Sequence, residues 1–409
     1  MSVVADAKRK IIPYCEKLES VRLLNQKKVL DAFHQARVGT HCFTDSTGYG
    51  YHDEGRECLE RVFATVFKTP AALVRPQIVS GTHAITLCLS LLGVGEELVS
   101  ISGAPYDTLQ QVIGSKGASK RSLINRGIHY QEVALKEDGH LDMVEIANTV
   151  TTKTRMVLLQ RSRGYSWRPA ISIADIKTAF AVVHEKNPNC ICFVDNCYGE
   201  FVELLEPTEV GAQLVAGSLI KNPGGTLAPS GGYIVGQMDL VHECAEALTA
   251  PGIGAKVGPT FGLIRPLLQG FFMAPHIVGQ AIMGAILVSQ VFSDLGYQVS
   301  PLPHELRTDI IQAIRLEQEQ KLLAFCRGIQ KASPIDAQFM PVPDSMPGYE
   351  DPIVMAGGTF IQGSSLELSA DAPVREPYIV YMQGGSSLEQ VEIAMESVIT
   401  ELGLDNTSQ

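Results

Sequence analysis

From about residue 74 to residue 236 the chain repeats one pattern, a short run rich in β-branched residues followed by a helical segment. The runs VRPQIVSGT, ELVSISG, IHYQEVAL, RMVLLQR, ICFVDN, VAGSLIK and GGYIVG are near-continuously apolar, which suits strands covered on both faces by helices. Such alternation predicts an α/β domain built on a mostly parallel sheet. Ligands of these sheets bind beyond the carboxyl ends of the strands. Gly81, Tyr106, Arg161, Asp195 and Lys221 fall at those ends.

The flanks read differently. Residues 1–38 repeat apolar positions at three- and four-residue spacings up to Gly39, which predicts an amphipathic helical arm. A turn-rich stretch, TDSTGYGYHDEGR, precedes a helix that Thr69-Pro70 ends. Residues 266–293 contain no Asp, Glu, Lys or Arg and are long enough to span a bilayer. Pro275, His276 and three glutamines interrupt the segment, so a buried helix or a subunit contact is the better reading. A polar break at SDLGYQVSPLPHE marks a domain boundary. Beyond it the pattern predicts one helix over LRTDIIQAIRLEQEQKLLAFCRGIQ, strands in PIVMAGGTFIQ, SLELS and PYIVYMQGG, then a last helix. The expected division is 1–60 (arm and loop), 61–298 (large domain) and 299–409 (smaller α+β domain), with disorder confined to the final DNTSQ.

Composition narrows the function classes. A formal charge of −11 over 409 residues, without a long basic run, disfavours nucleic acid as a partner. Nine scattered cysteines with no CxxC pair read as a reducing cytosol, and the N-terminus lacks the apolar core of a secretion signal, so a cytoplasmic enzyme is expected. No run of histidines and carboxylates has metal-ligand spacing, so no metal is expected.

Lys221, flanked by apolar residues and glycines at a strand end, could be partly desolvated, which lowers a lysine pKa and makes the amine a nucleophile. A surface lysine in a loop is the plain alternative. Asp195 at the end of a buried run could hold a pyridinium nitrogen protonated, as pyridoxal phosphate requires, or could simply cap a turn. In Ser80-Gly81-Thr82 a strand passes into a helix, which would aim free N–H groups and two hydroxyls at a phosphate. Tyr106 follows the next strand, either as a ring on the cofactor face or as a core residue.

These four parts, in this order, resemble the fold-type I pyridoxal-phosphate enzymes of cysteine and methionine metabolism. The resemblance runs from about residue 45 into the C-terminal domain. It is carried by Ser80-Gly81-Thr82-His83-Ala84, Tyr106-Asp107-Thr108, Val194-Asp195-Asn196 and Ser218-Leu219-Ile220-Lys221. Closer still is the methionine gamma-lyase or aluminium-resistance family, whose hallmarks TGYGYHDEGR, PQIVSGTHAI, QRSRGYSWRP, VDNCYGEF, SLIKNPGG, QGFFMAPH and FIQGSSLELSADAPVREPY occur in order.

The resemblance implies a large domain on a seven-stranded, mostly parallel sheet, with pyridoxal phosphate held covalently by Lys221. Ser80, Gly81, Thr82 and Ser218 would contact its phosphate, Asp195 its ring nitrogen and Tyr106 its ring. Lys221 would act as base and Tyr106 as proton donor to a departing thiol. Arg375 would bind the substrate carboxylate, with Arg161 and Arg163 as further candidates for substrate or cofactor. A homo-oligomer with shared sites, at least a dimer and expected to be a tetramer, is implied, with Tyr49 and Tyr51 reaching a neighbour's phosphate. They stand where the well-studied gamma-lyases have a tyrosine-x-arginine pair. Asp107 replaces the usual glycine, and a cysteine found nearby in some methionine-degrading relatives is missing. The expected reaction is elimination from a sulfur amino acid. Beta-elimination, aldol cleavage or transamination on the same fold, and a cofactor-binding homologue serving metal tolerance, stay open.

Overall fold

The apolar runs assemble into one seven-stranded sheet, in a structure (a computed structural model) that describes residues 2–117, 119–346 and 349–404. The tail DNTSQ lies outside the described residues. Its strands are β1 (Ala71–Arg75), β2 (Glu97–Ser100), β3 (His129–Glu132), β4 (Thr154–Gln160), β5 (Ile191–Asp195), β6 (Leu214–Ser218) and β7 (Gly232–Gly236). They lie in the order β1-β7-β6-β5-β4-β2-β3. The strands from β2 to β6 run parallel, and β7 is antiparallel to both neighbours. Every residue of β5, β6 and β7 is buried, which is why these runs show no polar alternation.

A second sheet holds β8 (Gln298–Ser300), β9 (Ile311–Arg315), β10 (Ile353–Ala356), β11 (Ser369–Pro373) and β12 (Ile379–Gln383), ordered β10-β11-β12-β9-β8 and antiparallel throughout. Here the sequence expectation needs correction. The long helix expected across residues 306–330 is a strand, β9, followed by a helix over Glu319–Lys331 only. Ile311 and Ala313 face one apolar cluster and Ile314 the main core, while Gln312 is buried and bonded to Arg307. Apolar spacing fits either period over so short a run, and pairing with β12 and β8 decides it. The expected strand SLELS likewise gives way to β11, which starts at Ser369.

The N-terminal arm is two helices, Val3–Lys10 and Ile12–Gln35, with Pro13 in the first turn of the second, where its missing N–H costs nothing. Both pack on the uncharged segment, which is a single helix from Ile264 to Asp294. Among the described residues this helix alone is long and apolar enough to cross a membrane, and 78% of its most apolar window is buried within the protein. It serves both layers. Near its start Gly270 presses on the turn after Lys221, and further along Gly284 meets Val391 of the last helix.

That first contact tolerates no side chain. A Cβ on Gly270 would stand 2.1 Å from the Gly224 carbonyl oxygen, and one on Gly225, itself at φ +50°, 2.1 Å from the Gly270 oxygen. Gly270→Ala is therefore expected to destabilise the fold by about 1–3 kcal/mol, the usual cost of overpacking. Denaturant titration reads this directly, and an unchanged midpoint would show that the helix can back away.

Candidate active site

A cavity of about 450 Å³ opens beyond the carboxyl ends of the parallel strands, walled on one side by Tyr349 and Arg375, which flank strands of the second sheet. Ser80 caps the helix Gly81–Leu89, its Oγ accepting the His83 N–H at 3.1 Å. First-turn N–H groups have no carbonyl partner within their own helix, so those of Gly81 and Thr82 offer an anion two donors beside the positive end of the helix dipole. The backbone is close here. A Cβ at Gly81 would lie 3.2 Å from Ser218 Cβ and 3.3 Å from Cys197 Sγ. Thr82 Oγ1 and the Tyr106 hydroxyl are 2.9 Å apart, which fixes that ring at the cavity wall.

Asp195 ends β5 and lines the same cavity, its Oδ1 accepting the Cys197 N–H at 3.1 Å. Burial pushes its carboxyl above the ordinary range, and the Lys221 charge pulls it back. Lys221 follows β6, with Nζ 3.9 Å from the centroid of the Tyr198 ring. Desolvation lowers its pKa, as anticipated, but Cys197, Tyr198 and Asp195 together outweigh burial and hold the ammonium above its usual value. The expectation of a depressed lysine is thus corrected: acidic neighbours stabilise the charge that burial opposes.

The arginines separate. Arg161 is not at the cavity, because its Nη1 binds Asn196 Oδ1 at 2.8 Å and the Gly199 carbonyl at 2.9 Å while Nη2 pairs with Glu203 at 2.6 Å. It braces the turn after β5. Arg163 lines the cavity, yet its Nη1 donates to the Ser300 carbonyl at 2.9 Å and the Ser300 hydroxyl at 3.0 Å, tying the two domains. Arg375 stands at the rim, half-exposed, its Nη1 paired with Asp351 at 2.9 Å. Tyr49 and Tyr51 lie outside the cavity on an exposed loop, with ring centroids 5.4 Å apart. The loop is braced by Arg56, which donates to the Gly50 carbonyl at 2.6 Å and the Gly258 carbonyl at 2.9 Å.

Several site residues escaped the sequence reading. Tyr198, three past Asp195, has φ +71°, a left-handed conformation costly for a bulky side chain, and its phenol is pushed up to about 12 by burial. Tyr165 donates to Asp371 Oδ2 at 3.0 Å, and Gln383 Nε2 donates to the same oxygen at 3.2 Å. Burial raises the Asp371 carboxyl. Tyr165 follows β4 of the first sheet, while Asp371 and Gln383 belong to β11 and β12 of the second. Tyr198, Tyr165 and Asp371 stand in VDNCYGEF, QRSRGYSWRP and SADAPVREPY, but nothing within those runs marks the three residues out.

Glu200 adds a titrating group nearby. It is fully buried, with Oε1 accepting the Tyr233 hydroxyl at 2.6 Å and Oε2 meeting no hydrogen-bond partner among the described residues. Burial raises its carboxyl from an ordinary 4.5 to about 8, so the folded chain holds a proton that the unfolded chain releases between those values. The stability this proton supplies is complete below 4.5 and is lost as pH climbs to about 8. Glu200→Gln cannot ionise, so its Tm relative to wild type is expected to rise between about pH 5 and 8. An identical difference at both ends would rule out a neutral Glu200.

Comparison with known proteins places the whole chain. The model of the family described as methionine gamma-lyase matches residues 1–403. The chain is similar to a Clostridium novyi protein described as a carbon-sulfur lyase involved in aluminium resistance, at 46% identity over 98% of this chain and 95% of that one, with a TM-score of 0.94. A Listeria monocytogenes structure, provisionally described as a cystathionine beta-lyase involved in aluminium resistance, is 48% identical over 98% and 99% of the two chains, with a TM-score of 0.95. The uncharacterised Bacillus subtilis protein YnbB is 46% identical over 95% of this chain and 92% of its own. At 16% identity and a TM-score of 0.62, the pyridoxal-5'-phosphate-dependent YhfS of Escherichia coli shares the fold over 94% and 97% of the two chains.

Proposed function

The chain belongs to the methionine gamma-lyase family, and from that premise we propose that it is a cytoplasmic pyridoxal-phosphate-dependent carbon–sulfur lyase of fold type I, releasing a thiol, a keto acid and ammonia from a sulfur amino acid. The observation that carries this reading is the convergence of Lys221, Asp195 and the Ser80–Thr82 helix start on one cavity. The donor set fits the cofactor. The first-turn amides with the Ser80, Thr82 and Ser218 hydroxyls suit its phosphate, Asp195 suits its ring nitrogen, and Gly81 leaves space that a Cβ would crowd.

Pyridoxal phosphate, when bound, supplies an electron sink for charge developing at the substrate Cα. Lys221 would be the tether and, as a neutral amine, the base that takes the Cα proton at Nζ. Asp195 keeps a proton on the ring nitrogen by offering a buried negative charge. Tyr106, held by Thr82, is placed to protonate the leaving sulfur from its hydroxyl. Arg375 orients the substrate through its carboxylate, a role for which its forked donors suit it.

Purified holoenzyme supplied with methionine, homocysteine, cystathionine and cysteine in turn should yield keto acid, ammonia and thiol from at least one. Amino-group transfer or aldol products would replace this reading with another reaction on the same site. A cofactor-loaded protein inert toward the whole panel would favour the metal-tolerance reading that the relatives' descriptions raise.

In the same reading Tyr49 and Tyr51 serve a neighbouring subunit's phosphate in a homodimer or homotetramer. The support is their exposure on a braced loop outside their own cavity. Mixing a Lys221→Ala chain with a Tyr49→Phe chain should restore partial activity in hybrids, and a stable, active monomer on sedimentation would defeat it.

A further inference from the structure

Arg375 is the cavity's half-exposed arginine, and its fork is already engaged. Nη1 donates to Asp351 Oδ2 at 2.9 Å and Nη2 to the Tyr165 carbonyl at 3.4 Å. Asp351 itself does not line the main cavity. It lines a side cleft of about 10 Å³, which shares Arg375, Tyr165, Tyr349 and Asp107 with the cavity. The cleft is narrow, and within it Asp351 holds the donor of Arg375 that an incoming carboxylate would take.

The residues before Asp351 are tied as well. Glu350 pairs with Lys116 at 3.2 Å, and the Tyr349 ring lies 5.7 Å from that of Tyr165 on the cavity wall. Three successive side chains therefore bind three different partners around the rim. A carboxylate that pairs with Arg375 must take over the Nη1 donor that Asp351 now holds. The exchangeable contact is the exposed ion pair, since the other acceptor is backbone of the large domain.

We infer that Asp351 is a built-in stand-in for the substrate carboxylate on Arg375, so that binding is an exchange of one carboxylate for another and Asp351 sets affinity for carboxylate-bearing ligands. This rests on the proposed role of Arg375. Asp351 is a specificity-determining residue in this scheme and takes no part in the chemistry. Its removal tightens binding, the reverse of what losing a substrate contact would do.

The test uses holoenzyme with L-norleucine, which has no sulfur to eliminate, and L-norleucinamide, which lacks the carboxylate, each titrated by calorimetry. Asp351→Asn is expected to lower the Kd for L-norleucine about two- to fivefold, the factor an exposed ion pair is worth, and to leave the amide unchanged. Asp351→Glu should keep the wild-type ratio. An unchanged Kd for the acid, or an equal change for acid and amide, overturns the inference. Arg375→Gln separates the two failures. If it abolishes the preference for acid over amide while Asp351→Asn does nothing, the exchange alone is wrong. If it leaves that preference intact, the carboxylate role of Arg375 falls too.

Discussion

Lys221→Ala is expected to abolish turnover and to release pyridoxal phosphate from covalent attachment. Loss of a general base alone costs about 10²–10⁴-fold, and the covalent route disappears with it, so a fall of at least about 10³-fold should be measured. Among the described residues no other lysine lines the cavity, and Lys221 combines burial with contact to Tyr198, Cys197 and Asp195. Borohydride reduction of the loaded protein followed by peptide mass mapping should place the adduct on Lys221 in wild type and nowhere in the variant. An adduct that persists elsewhere, or appreciable turnover, would remove Lys221 from the mechanism.

Asp195→Ala should separate tethering from chemistry. The borohydride-reducible linkage to Lys221 is expected to survive, since the lysine lies on the following strand connection and not on the aspartate's own turn. Turnover should fall on the order of 10²- to 10³-fold, the scale of removing one preorganised electrostatic partner. The variant also takes away one of the charges that raise the Lys221 pKa, so the pH dependence of cofactor attachment should move to lower pH. Wild-type activity, or an attachment profile that does not move, would reduce Asp195 to a turn residue that accepts the Cys197 amide.

What the sequence by itself determined was local and ordered. Continuous apolar runs ending in Asp195 and before Lys221 were legible because strands buried on both faces leave no room for polar alternation. The Ser80-Gly81-Thr82 turn was legible because a cap residue followed by an apolar period marks a helix start. The residues 311–315 were not, since a five-residue apolar run satisfies either period until its neighbours in the sheet choose.

Tertiary structure decided which charged groups share the cavity. Arg161 and Arg163 stand two residues apart, a spacing that in a strand would put both on one face, yet one turns toward Glu203 and the other toward Ser300 because the chain has left β4 at Gln160. Asp371, through Tyr165, and Arg375 reach the site from 150 and 154 residues beyond Lys221, on and just after a strand whose docking no local pattern encodes. The charge on Lys221 belongs to the same class: its sequence context announces burial, which lowers a lysine's pKa, and only the assembled site sets Cys197, Tyr198 and the Asp195 carboxylate beside the ammonium to oppose that.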